Sequence, residues 1–225
     1  HRLAFFAALD RSAKIEKWPF SLAFKKYSYS SHFYGSGHKN KPYQSVYLNL
    51  KLVLEGRRSD AVQRIQMIPD KALKDATILD VASNIGMSSV IAKQLGAKRC
   101  LGLEYTGIIV NNANRFAMFN DVYPDVKIQN FDIDKDSLDK NYSATTAFMF
   151  SIHDHLKKPE KLIDIARDHV LKFVVFEGHP SGTFKNYVSF FESGLFKNVQ
   201  EIGQLNCSTQ NTRKESFRKL WLCEK

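Results

Sequence analysis

From residue 76 onward the chain alternates short apolar runs with amphipathic stretches, and this alternation narrows the choice of fold more than any other feature. Thr77-Ile78-Leu79-Asp80-Val81 is nearly all apolar, as a strand buried on both faces must be. Residues 85–95 then follow a helical pattern that stops at Gly96, a natural C-terminal cap. Further strands are expected at 99–104, 126–131, 146–151 and 172–177, with helices at 108–120 and 160–169. Short apolar strands separated by helices imply parallel strands joined by right-handed crossovers. The ending differs. A helix at 183–192 is followed by strands at 198–205 and 217–223, joined by a polar segment with no helix. The expected fold is α/β: a doubly wound, mostly parallel seven-stranded sheet that closes with a C-terminal antiparallel β-hairpin.

Residues 1–70 have another texture. Residues 1–60 carry 11 Lys or Arg against 4 Asp or Glu, so about a quarter of the chain holds more than half of its excess positive charge. A strand is expected at 47–54 and a helix at 59–68, with Ser59 as its N-cap and Val62, Ile65 and Ile68 at helical spacing. The apolar stretch 3–9 reads as a helix fragment, since only Arg2 precedes it and no small-residue cleavage site follows. The chain is thus expected to divide into a basic, aromatic N-terminal extension, 1–70, and a ligand-binding domain, 71–225. Arg57, Arg58 and Arg64 can clamp a phosphate or carboxylate. Tyr27, Tyr29, Phe33, Tyr34 and Tyr43 can stack on bases. The same residues also suit a cover packed on the sheet with a solvated basic face.

Composition sets the outer limits. With 33 Lys or Arg against 23 Asp or Glu, the net charge is +10, which favours anionic partners, nucleic acid among them, and equally serves solubility. No apolar run approaches the ~18–20 residues of a membrane span. Cys100, Cys207 and Cys223 are far apart and form no CxxC pair, so a reduced, cytoplasmic setting is expected. His153 and His155 are too close together to serve as a metal pair and lack further ligands of obvious spacing, so no metal site is expected.

Chemistry is expected at the carboxyl ends of the strands, where open α/β sheets collect their ligands. Asp80-Val81-Ala82-Ser83-Asn84-Ile85-Gly86 forms the turn between the first regular strand and its helix. Glu104 ends the second strand, where a carboxylate can accept hydrogen bonds from both ribose hydroxyls of an adenosine moiety. Asp132 closes the third, within reach of an adenine amino group. The turn lacks GxGxxG, the pattern a nicotinamide dinucleotide prefers for close approach of its pyrophosphate.

On these residues, 77–225 resemble the class I S-adenosylmethionine-dependent methyltransferases. The family's first motif has an acidic residue followed by three alternating glycines, and this chain places Asp80, Ala82, Asn84 and Gly86 there. Phe148-Met149-Phe150-Ser151-Ile152-His153 matches the fourth-strand segment beside the methyl group, and the closing strands match the family's antiparallel insertion of its seventh strand. The resemblance implies a Rossmann-like fold and S-adenosylmethionine as cofactor. It implies donor contacts from Asp80, Ala82, Ser83, Asn84, Gly86, Met87, Glu104, Tyr105, Asp132 and Ser151. His153 stands as a candidate general base, or as part of a loop that merely lines the donor. Arg57, Arg58, Tyr43, Glu177 and His179 stand as candidate acceptor contacts, although Glu177 and His179 equally fit a helix approach. The signatures for exocyclic-amine and cytosine-C5 methylation, an Asp/Asn-Pro-Pro-Tyr segment and a Pro-Cys pair, do not follow the fourth strand. The expected activity is methyl transfer to an acceptor such as RNA or a small anionic metabolite. The alternative is a non-catalytic module of the same fold that holds RNA or a partner subunit.

Overall fold

A computed structural model of the chain describes residues 43–56, 58–178, 187–206 and 217–225. The expectations that fall on the aromatic residues before 43, on Arg57, on His179 and on Cys207 lie outside the described residues. Nine strands run in chain order among those described. They are β1 (Val46–Leu48), β2 (Lys51–Leu54), β3 (Thr77–Val81), β4 (Arg99–Glu104), β5 (Val126–Asn130), β6 (Ala144–Phe150), β7 (Val170–Glu177), β8 (Asn198–Asn206) and β9 (Phe217–Glu224). The helices are α1 (Ala61–Gln66), α2 (Asp70–Leu73), α3 (Met87–Gln94), α4 (Gly107–Phe119), α5 (Lys161–His169) and α6 (Val188–Phe191).

Seven strands form one sheet in the order β5-β4-β3-β6-β7-β9-β8. The first five pair in parallel, and β9 enters antiparallel between β7 and β8. This is the doubly wound sheet with a closing hairpin that the alternation of residues implies. The order reverses between β3 and β6, so the loops after β3, β4 and β6 open at the switch point where such sheets bind ligands.

Each face of the sheet carries its own core. On one face Ile78, Phe148, Val175 and Leu222 pack against α1–α4 through Ile65, Leu73, Ile91 and Phe116. On the other Leu79, Met149, Val174 and Phe176 pack against α5 and α6 through Leu162, Ile165 and Phe190. Neighbours in sequence go to opposite faces because side chains alternate along a strand. Helix α5 buries Leu162, Ile165 and Ala166, a spacing of three and four that places them on one stripe. Each Ile or Leu fully buried this way contributes about 2 kcal/mol. Among the described residues no helix is long and apolar enough to cross a membrane.

The segment before β3 packs into this fold. Val46, Tyr47, Ile65 and Ile68 belong to the same apolar cluster as Ile78 and Val90. Where the sequence suggests one strand over 47–54, the structure has the β1–β2 hairpin. Asn49 and Leu50 have φ of 49° and 64°, which turns the chain between the two strands. The turn is hard to read in sequence because Leu50 stands where such turns favour Gly. Asn120 secures it: its Oδ1 accepts from the Asn49 amide at 2.9 Å and its Nδ2 donates to the Tyr47 carbonyl at 3.2 Å. Helix α1 starts at Ala61, one residue later than a Ser59 cap implies, because the Asp60 carboxylate is drawn into ion pairs with Arg58 and Arg64.

Candidate functional site

The turn after β3 shows why the non-glycine residues at its glycine positions are tolerated. Ala82, Asn84 and Gly86 have φ of 59°, 52° and 72°, so every second residue is left-handed. That conformation costs an L-residue about 1–2 kcal/mol, least for Asn. The surroundings hold it in place: the Ser83 amide donates to the Leu103 carbonyl at 2.8 Å, and the Gly86 amide to the Ser83 carbonyl at 2.9 Å. Helix α3 therefore begins at Met87 rather than at 85. Met87 is fully buried, and its sulfur accepts from the Tyr47 amide at 3.5 Å, so its side chain faces the core beneath the turn.

Glu104 joins this turn to the next strand. Its Oε2 accepts from the Asn84 amide at 3.1 Å and its Oε1 from the Thr106 amide at 2.9 Å. Burial pushes its carboxyl above the ordinary value, and those backbone amides oppose the rise. Each oxygen keeps a second lone pair for another donor. Tyr105 follows with its ring 68% exposed, and Ile108 beside it is also exposed. Asn130, at the end of β5, donates to the Glu104 and Tyr105 carbonyls at 3.1 and 2.8 Å, tying the two strand ends together.

The other carboxylates differ from one another. Asp80 is 2% exposed, accepts from the Ser89 hydroxyl at 2.7 Å, and is pushed by burial up to about 6. It lies below the turn rather than at the surface. Asp132 is half-buried. Lys135 at 2.6 Å holds its carboxyl below the ordinary value, and it also accepts from the Asp134 amide at 3.1 Å.

After β6 the chain turns sharply at Ser151, whose φ is 54°. Its amide donates to the Glu177 carbonyl at 2.8 Å. His153 sits in the following turn with Nδ1 3.1 Å from Asp154 Oδ1, and the Tyr187 hydroxyl donates to the other Asp154 oxygen at 3.3 Å. The His153 ring meets the Tyr187 ring edge-on at 5.1 Å.

Arg58 and Glu177 prove to be partners of each other. Arg58 Nη1 lies 3.1 Å from Glu177 Oε1, and the two residues are 119 apart in sequence. Arg64, Asp60, Ser151 and Arg218 complete a buried cluster around them. Arg64 pairs with Asp60 at 3.0 Å and with Glu177 at 3.2 Å, and its guanidinium lies 4.8 Å over the Phe150 ring. The Ser151 hydroxyl donates to Glu177 and accepts from Arg218. Burial alone would raise both carboxyls, but Arg64 and Arg58 outweigh it, holding Asp60 down at about 2 and Glu177 below its ordinary value. Tyr43 is half-buried, its carbonyl accepting from the Arg58 amide at 2.8 Å. Sequence reasoning missed Asp60 and Arg218. Arg218 is legible in principle, since it shares the inward register of Leu220 and Leu222, both buried.

No known family model matches the chain, and no curated protein matches it in sequence. Solved structures do match. The magnesium protoporphyrin IX methyltransferase ChlM from Synechocystis, solved with bound SAM, is 14% identical, with a TM-score of 0.61 over 91% of this chain and 96% of that one. A candidate RNA methyltransferase from Pyrococcus horikoshii is 11% identical, with a TM-score of 0.56 over 73% and 83%. The protein in the complex of aTrm5 and tRNALeu is 15% identical, with a TM-score of 0.53 over 78% of this chain and 49% of that one. At such identities the likeness concerns the fold. With the strand order β5-β4-β3-β6-β7-β9-β8 and an antiparallel β9, the chain has the fold of the class I S-adenosylmethionine-dependent methyltransferases.

Proposed function

We propose that the chain is an S-adenosylmethionine-dependent methyltransferase. One observation carries the reading: the left-handed turn at Ala82, Asn84 and Gly86 is fastened to the Glu104 carboxylate through the Asn84 amide. The donor set suits the cofactor. Glu104 is anchored by two amides and retains an acceptor site on each oxygen for the ribose hydroxyls. The exposed Tyr105 ring beside it offers a flat face to adenine. Asp132 stands at the next strand end for the adenine side. The turn itself, with Ala82, Ser83, Asn84 and Gly86, would hold the methionine end above the buried Asp80. Bound there, S-adenosylmethionine supplies a methyl group on a sulfonium, ready for attack by a nucleophile.

The chain's own part is mostly positioning. Ser151 borders the methyl end, and its backbone is fixed by Glu177. His153, in contact with Asp154 and the ring of Tyr187, would be the group to take a proton from the nucleophile, at its other ring nitrogen. The net positive charge of the chain favours an anionic acceptor. A non-catalytic module is the weaker reading. The altered glycine motif is its motive, and the backbone keeps the left-handed pattern despite Ala82 and Asn84.

Calorimetric titration with S-adenosylmethionine, S-adenosylhomocysteine and NADH tests the proposal. Micromolar binding of the first two and none of NADH is expected. Binding of NADH alone, or of none of the three, would overturn it.

A further inference from the structure

The buried cluster at the ends of β6 and β7 is unbalanced in a specific way. Among the described residues, the acidic side chains paired with Arg58, Arg64 and Arg218 are Asp60 and Glu177, and all five are at most 7% exposed. The two oxygens of Glu177 serve three guanidiniums. Arg58 and Arg64 also share Asp60. Arg218 is left poorest: among the described residues its ion pairing is a single 3.4 Å contact with Glu177 Oε1. Its other partner is the neutral Ser151 hydroxyl; its buried Nε, like those of Arg58 and Arg64, has no hydrogen-bond partner among the described residues. Asp80 feels the field of Arg64, but its carboxyl is hydrogen-bonded by Ser89 and forms no ion pair with Arg218. A buried guanidinium paired so weakly with carboxylates calls for a further anion.

The cluster also occupies a telling place. Ser151, which Arg218 touches, is the left-handed residue just after β6, beside the methyl end of the proposed donor site. We infer that Arg218 binds an oxyanion of the methyl acceptor beside Ser151, and that the acceptor is a small molecule bearing a carboxylate or phosphate monoester close to the atom methylated. This inference rests on the methyltransferase reading. A small acid is favoured over a nucleic-acid backbone because Arg218 is only 7% exposed. A terminal oxyanion can approach so covered a group end-on, whereas a phosphodiester carries a sugar on both sides. The planar fork of Arg matches either small oxyanion bidentately.

The test uses the full chain and separates the two readings. S-adenosylhomocysteine is titrated first, alone. Failure to bind would sink the methyltransferase proposal, and this result stands apart from any acceptor titration. Benzoate, phenyl phosphate, benzamide and a single-stranded RNA oligomer are then titrated with and without S-adenosylhomocysteine. Benzoate or phenyl phosphate is expected to bind at least tenfold more tightly than benzamide, and whichever binds better identifies the anion. Arg218→Gln should erase that preference, while Arg218→Lys, which keeps the charge, should retain part of it. Equal binding of benzoate, phenyl phosphate and benzamide would overturn the inference, as would binding of the RNA alone. So would an unchanged preference in a folded Arg218→Gln. If neither variant folds, the comparison of acids with benzamide in the unaltered chain decides.

Discussion

The Asn84 amide donates to Glu104 Oε2 at 3.1 Å, so the turn after β3 and the end of β4 are one unit. The carboxylate that would receive the ribose also holds the loop that would receive the methionine end. Glu104→Gln preserves the shape and one acceptor oxygen but loses the charge. It is expected to weaken S-adenosylmethionine binding at least tenfold, or about 1.4 kcal/mol. Glu104→Ala should weaken it further while the far-ultraviolet circular dichroism stays unchanged. Calorimetry on both variants checks this, and undiminished affinity in a folded Glu104→Ala would remove Glu104 from the site.

Ala82 is held at φ 59°, where glycine rests without strain. Ala82→Gly relieves that strain but adds freedom to the unfolded chain, so a net gain of about 0.5–1 kcal/mol is expected. Ala82→Val should lose about 2 kcal/mol, since a β-branched residue is least tolerant of this conformation. Urea denaturation of the two variants supplies the comparison. Equal stability would show that the turn does not constrain residue 82.

Gly56 meets the backbone of the residues before β1. A Cβ there would stand 2.3 Å from the Gln44 carbonyl carbon and 2.5 Å from the Ser45 nitrogen. The backbone cannot yield as a side-chain tip would. Gly56→Ala should therefore cost about 2–3 kcal/mol and loosen the segment that carries Arg58 and Asp60. Hydrogen exchange would show the loss of protection at the Arg58 and Ser45 amides, both bonded across this junction.

The acid–base behaviour has two opposing parts. Asp80 titrates near 6 in the folded chain, above its ordinary carboxyl value. The folded state then holds a proton that the unfolded state releases, so this contribution is complete at low pH and is lost as pH rises toward 6. Asp60, held near 2, acts in the other direction: its contribution is present above the ordinary carboxyl range and is lost as pH falls toward 2. Asp80→Asn is expected to flatten the stability change between about pH 4 and 6 and to leave the acid limb intact. Denaturant midpoints across pH for both chains measure this, and an unchanged slope in that window would refute the assignment to Asp80.

What the sequence reveals and what it hides depend on range. Strands β3, β4 and β7 are largely apolar and buried, β9 is so from Leu220 to Cys223, and α5 carries its own stripe, so local pattern is enough to find them. The turn at 80–86 and Glu104 are legible because acidic residues at strand ends have a local signature. The β1–β2 hairpin is hidden because Leu50 gives no turn signal and Asn120, which fastens it, is 71 residues from Asn49. Arg58 and Glu177 read as two separate acceptor contacts in sequence, because their pairing spans 119 residues and no local pattern encodes it. Arg218 lies in the inward register of β9, but a charged residue there has a purpose only once Ser151 and Glu177 are seen beside it.

The most direct test of the methyltransferase assignment is a crystal structure with S-adenosylhomocysteine. The ribose hydroxyls should lie within hydrogen-bond distance of Glu104, the adenine against Tyr105, and the sulfur toward Ser151. Ligand density at any other place on the sheet, or none at saturating concentration, would contradict it.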